Sequence, residues 1–221
     1  MDKHVVIIFP HPDDESFGTA GTIAKFRSEG VPVTYLCGTL GEMGRNMGLP
    51  IIANRETMPE IRKQELINAC KELDVDLQML GYRDKTLEFE DRGEVATRLK
   101  GLLEELNPHL VITHYPGHGV HPDHNALGAA AIQAVGSMAP DKRPVVWASA
   151  ITTNRYEVLG NPDIEVDISN FFDEKLKAIM AHETQAKGII GNFRGRKPSQ
   201  EDFKAIAKEA LGKEAFYTWQ F

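Results

Sequence analysis

Val5-Val6-Ile7-Ile8-Phe9, followed at once by Pro10-His11-Pro12-Asp13-Asp14-Glu15, is the stretch that decides the fold. Five apolar residues in an unbroken, largely β-branched run predict a strand buried on both faces, the kind found inside parallel sheets. Prolines then end the strand, because they lack the N–H that a central ladder needs. The chain must therefore leave the sheet at the strand's carboxyl end, carrying a histidine and three carboxylates with it.

Outward from this stretch, strands and helices alternate. Residues 19–29 read as a helix closed by Gly30 in a C-cap position, and residues 33–39 as a second buried strand. Residues 40–58 hold three glycines, a proline and no periodicity, and a loop of that length inside a compact domain is usually functional. Pro59 suits the first turn of a helix that runs to about residue 73. A short strand at 77–80, a helix at 94–106 and a fourth strand at 110–113 follow. After a loop rich in Gly and His come a helix of small residues over about 125–135 and a fifth strand at 145–151. Beyond these the alternation weakens to a strand at 164–168, a helix over about 172–181 and a last helix capped by Ser199.

This alternation predicts an α/β chain with a Rossmann-like three-layer fold and a mostly parallel sheet of order near 3-2-1-4-5. The C-terminal third is less regular. With 221 residues and no repeat or linker, a single domain spanning 1–221 is expected. A net charge of −7 argues against a nucleic-acid or anionic-membrane partner, since both want a basic surface. Cys37 and Cys70 form neither a CxxC pair nor a disulfide framework, which suggests a reducing compartment. The first apolar run is too short for a signal-peptide core, and nothing approaches the ~20 apolar residues of a membrane span. A soluble, cytoplasmic protein is the expectation, with homo-oligomerisation left open.

A second cluster, His121-Pro122-Asp123-His124, lies in the loop after strand four. In a sheet ordered 3-2-1-4-5, strands one and four are neighbours whose connections depart in opposite directions. The crevice beyond their carboxyl ends is where such folds bind ligands. Both clusters converge there and offer His11, Asp13, Asp14, His121, Asp123 and His124. A catalytic zinc wants three ligands of His and carboxylate type with one position open, so groups remain for acid–base work. A dinucleotide site is disfavoured, because Gly18 and Gly21 stand behind an acidic loop and make no G-x-G-x-x-G.

The paired segments resemble the PIG-L/LmbE-like zinc deacetylases, over most of the chain up to about residue 135. Supporting stretches are Gly41-Glu42, Arg62 within Glu60-Ile61-Arg62-Lys63-Gln64-Glu65, Gly81-Tyr82-Arg83-Asp84 and Asn107-Pro108-His109-Leu110-Val111-Ile112. Within the family the chain looks most like the branch that deacetylates N-acetylglucosaminyl malate in bacillithiol biosynthesis. The resemblance implies one zinc ion per chain held by His11, Asp14 and His124, Asp13 as general base, His121 facing the developing oxyanion and Asp123 orienting His121. It also implies that Arg62 and Asp84 contact an N-acetyl amino sugar conjugate. Fe2+, Co2+ or Mn2+ would suit the same ligands.

Arg45-Asn46, Arg194-Gly195-Arg196-Lys197 and His182 are further candidates near a substrate. One departure stands out: some relatives place a tyrosine two residues before His121 to polarise the carbonyl, and here that position is Gly119. A sibling amidase acting on thiol S-conjugates, a two-metal phosphoesterase and a non-catalytic metal-binding module remain as alternatives.

Overall fold

The computed structural model describes residues 3–186, 208 and 211–221. The alternation predicted from sequence is present: β1 (Val5–Phe9), β2 (Val33–Cys37), β3 (Asp76–Met79), β4 (Leu110–His114) and β5 (Val145–Ser149) form a parallel array ordered β3-β2-β1-β4-β5. Every residue of β1 has zero exposure, as an unbroken apolar run requires.

Helices cover both faces. On one side Val5, Ile7, Phe9, Tyr35 and Ile112 pack with Ile23 of α2 (Ala20–Ser28), Leu66 and Cys70 of α3 (Met58–Glu72) and Ala178 of α7 (Phe172–Ala181). On the other, Val6, Ile8, Leu36 and Val111 pack with Leu99 and Leu103 of α4 (Arg92–Leu106) and Leu127 and Ala131 of α5 (Pro122–Gly136). Burying each such Val, Ile or Leu contributes about 1.5–3 kcal/mol, so the two cores fix β1 and β4 firmly.

Three departures from the sequence reading have physical causes. Helical structure begins earlier than expected after β1, at α1 (Asp14–Gly18), inside the acidic motif itself. The helix expected from about residue 125 begins at Pro122, because His121 serves as its N-cap and Pro122 suits the first turn. His124 therefore sits on a helix and not in the loop. Finally, the sheet continues past β5 through β7 (Lys213–Thr218) and then β6 (Ile164–Asp167), with β7 antiparallel to both.

A buried carboxylate accounts for where β7 lies. Glu214 accepts the Gly21 and Thr22 amides at 3.0 and 2.7 Å, which are unpaired donors at the start of α2, and takes Lys175 Nζ at 2.7 Å. A short helix, α6 (Arg155–Leu159), was not expected from the sequence. The Arg194–Lys197 cluster and Ser199 lie outside the described residues, and of the helix expected after Ser199 only Lys208 and Leu211 are described, both helical.

Candidate metal centre and active site

β1 delivers His11 and β4 leads to α5, so the two motifs meet at the carboxyl edge of adjacent strands. Tyr35 Oη donates to the His11 carbonyl at 2.8 Å, and Thr39 Oγ1 to the Pro10 carbonyl at 2.9 Å, so β2 braces the turn. The His11 amide donates to Asp14 Oδ2 at 2.9 Å, which aims that carboxylate back at the imidazole. Between them Asp13 has φ +103, a left-handed value that only a surrounding scaffold maintains.

His11 Nδ1 lies 3.1 Å from His124 Nε2, and Asp14 lies 3.5 Å from the first and 3.3 Å from the second. The other nitrogen of each ring settles the proton inventory. His124 Nδ1 lies 2.7 Å from the Gly119 carbonyl and must carry the hydrogen, leaving Nε2 as a lone pair. His11 Nε2 faces Asp84 Oδ1 at 3.2 Å and Asp123 Oδ2 at 3.3 Å, so it too is the N–H and Nδ1 is the lone pair.

Two lone pairs and a carboxylate thus converge on one point, which calls for a cation. Burial disfavours charge on His11, yet Asp123, Asp14 and Asp84 hold its pKa well above the ordinary imidazole value. Burial likewise opposes charge on Asp14, and the neighbouring His124 and His11 reverse this and hold its pKa well below the carboxylate range. His11, Asp14 and His124 have donor atoms all within 4.8 Å of one another, and so do His11, Asp84 and His121.

The remaining predicted residues fall around this point. Burial pushes the Asp13 carboxyl up to about 6, against the pull of Arg62. Arg62 is itself buried, donating to the Gly41 carbonyl at 2.9 Å, to the Pro12 carbonyl, and to Asp13 Oδ2 at 3.1 Å. Its donors are turned toward Asp13 and the loops on either side of it. Asp84 is buried as well, and its second oxygen accepts the Met43 amide at 2.8 Å, tying the 40–58 loop to the site.

Asp123 touches His121 through its amide, which donates to His121 Nδ1 at 3.2 Å; its carboxylate goes to His11 and to the Lys85 amide at 2.7 Å. Asp123 Oδ1 has no partner among the described residues. Burial and the neighbouring His11 hold His121 below the usual imidazole pKa. With Nδ1 accepting the Asp123 amide, the ring hydrogen of the neutral form sits on Nε2.

At Gly119 a Cβ would stand 2.6 Å from His124 Cβ, so no side chain fits there without displacing His124. Gly119 itself therefore offers no side-chain donor of the kind that some relatives place at this position. Tyr115, the tyrosine nearest in sequence, packs instead on His118, Tyr217 and Trp219 at 5.4, 5.8 and 5.1 Å. His182 is fully buried against Glu15, with Nε2 2.6 Å from its Oε1. Sequence reading also missed His114 at the end of β4, stacked on His124 with centroids 4.0 Å apart.

The profile of the PIG-L family, described as GlcNAc-PI de-N-acetylase, matches residues 6–135. The chain is 49% identical over its full length to a Bacillus cereus protein named probable N-acetyl-α-D-glucosaminyl L-malate deacetylase 2, covering 100% of that protein. It is 50% identical to a Bacillus subtilis protein of the same name, covering 100% of this chain and 99% of the relative. Among solved structures, an N,N'-diacetylchitobiose deacetylase from Pyrococcus horikoshii in complex with its inhibitor MPG superposes with a TM-score of 0.74 at 28% identity. That match covers 98% of this chain and 84% of that one.

Proposed function

Because the chain belongs to the PIG-L family of de-N-acetylases, we propose that it removes the acetyl group from an N-acetylglucosamine conjugate, N-acetyl-α-D-glucosaminyl L-malate, in bacillithiol biosynthesis. One observation carries this reading: two imidazole lone pairs and the Asp14 carboxylate face one point, with a second carboxylate, Asp13, beside it. His11, Asp14 and His124 would hold a single Zn2+; Fe2+, Co2+ and Mn2+ fit the same donors. When bound, the cation would supply Lewis acidity, making water a nucleophile near neutral pH and polarising an amide carbonyl.

The chain's own groups do the rest. Asp13 accepts the proton of the attacking water and returns it to the departing amine, a shuttle to which a carboxyl pushed up to about 6 is suited. Arg62 holds one Asp13 oxygen so that the other faces the substrate. His121 donates its Nε2–H to the oxyanion, a contact worth about 3–4 kcal/mol in such sites. Asp84 and Asp123 accept from His11 Nε2 and so fix which nitrogen it offers to the ion. The products are acetate and the free amino sugar conjugate. Cys37 and Cys70 are free and buried, in keeping with work in the reducing cytoplasm.

The test is acetate release from N-acetylglucosaminyl malate by the purified zinc form, beside an amide of a thiol S-conjugate. Turnover of the sugar conjugate is expected. Cleavage of the thiol conjugate alone would assign the chain to the sibling amidases.

A further inference from the structure

A third histidine stands against the metal donors. His114 closes β4 and is 5% exposed, its ring held between Phe9, with centroids 4.4 Å apart, and His124, with centroids 4.0 Å apart and planes 13° from parallel. Neither of its ring nitrogens has a hydrogen-bond partner among the described residues. An unmet buried polar group costs about 1–3 kcal/mol, and a phenylalanine would fill the same slot without that penalty. The position therefore holds a polar ring at a cost, next to a site that has a use for one.

Two geometric facts narrow that use. The near-parallel stack keeps the in-plane lone pairs of His114 and His124 side by side, so both cannot converge on one ion, and His114 is not a further ligand. The acceptor it faces is Asp14 Oδ2, 3.8 Å from its Nε2. A shift of about 0.9 Å brings that pair to the ~2.9 Å of an N–H···O bond.

We infer that His114 is a positioning residue for the metal centre: its Nε2–H donates to Asp14 and fixes the orientation of that carboxylate toward the ion, while its ring face seats His124. This rests on Asp14 and His124 being ligands. Hydrogen bonds to ligating carboxylates typically raise metal affinity by about 10–100-fold.

The test separates the donor from the ring. Zinc dissociation constants are measured by chelator competition on the parent, His114→Phe and His114→Gln, with His11→Ala as the ligand control and circular dichroism of each apo protein as the folding control. Phenylalanine keeps the stack and loses the donor; glutamine keeps an N–H and loses the stack. His114→Phe is expected to bind zinc about 10–100-fold more weakly than the parent, and His114→Gln to stay within about fivefold of it. Parent-like affinity in His114→Phe, or a loss in His114→Gln as large as in His114→Phe, would overturn the inference. If His114→Phe does not fold, His114→Gln decides alone: a loss beyond about fivefold overturns it. A parent that binds zinc no better than His11→Ala would instead remove the metal reading itself.

Discussion

His182 Nε2 lies 2.6 Å from Glu15 Oε1, a fully buried pair that joins the C-terminal end of α7 to the acidic motif after β1. Ser16 Oγ shares that oxygen at 2.6 Å, while Glu15 Oε2 accepts the Asp13 amide at 3.0 Å. The residue proposed as base, held at φ +103, is thus clamped by a side chain whose own position depends on a residue 167 positions away. Strain of this kind persists only where the surroundings over-determine it.

Replacing His182 by Gln should accordingly cost stability in a pH-dependent way. Burial alone would lower this imidazole's pKa, but Glu15 more than reverses that and raises it. A folded-state pKa above the unfolded value of about 6.5 contributes stability that is complete below pH ~6.5 and fades as pH rises through the folded value. Thermal melts should show His182→Gln lower than the parent by about 3 kcal/mol, or about 6–12 °C in Tm, at pH 6, with a smaller gap at pH 9. An equal gap at both pH values would show that the pair acts by packing and not by charge.

Asp13→Ala should retain the metal and lose turnover by about 10²–10⁴-fold, since it removes the proton acceptor and leaves the ligands in place. His11→Ala should lose both. Metal content and kcat measured on the same preparations distinguish the two, and an active Asp13→Ala would free Asp13 from the role of base.

Arg62 donates to Asp13 Oδ2 and to the carbonyls of Pro12 and Gly41. Arg62→Lys keeps the charge but cannot span these acceptors with a planar fork, and should lower kcat by about tenfold or more. The comparison to run is kcat and KM on free N-acetylglucosamine and on its malate conjugate. A fall in kcat on both marks a residue that positions the base; a rise in KM confined to the conjugate marks a contact to its malate.

Gly119→Ala places a Cβ 2.6 Å from His124 Cβ and 3.0 Å from Asn125 Oδ1. It should also disturb the carbonyl that orients His124 Nδ1–H at 2.7 Å. Zinc affinity should fall by about 10–100-fold while the apo fold survives. Unchanged affinity would mean that the loop yields freely.

The five parallel strands and the meeting of the two His-Pro-Asp motifs were legible because both follow from local signals. Continuous apolar runs announce strands buried on two faces, and strand adjacency then brings the motifs together. β7 was not legible: its place between β5 and β6 depends on Glu214 reaching amides of α2 some 193 residues away, and no local period encodes that contact. His114 reads in sequence as the first residue of the loop after the strand at 110–113, and only its place at the end of β4, stacked on His124, sets it apart. The pairing of Asp123 was likewise hidden. Asp123 stands between His121 and His124 in sequence, and only coordinates reveal that its carboxylate turns to His11 from the opposite motif.

One divalent ion is expected among His11, Asp14 and His124. Anomalous diffraction at the zinc edge from crystals of the zinc-loaded protein tests it directly. A single peak about 2.0–2.2 Å from His11 Nδ1, His124 Nε2 and an Asp14 oxygen is predicted. A peak lodged instead among His11, Asp84 and His121, or none at full zinc load, would contradict it.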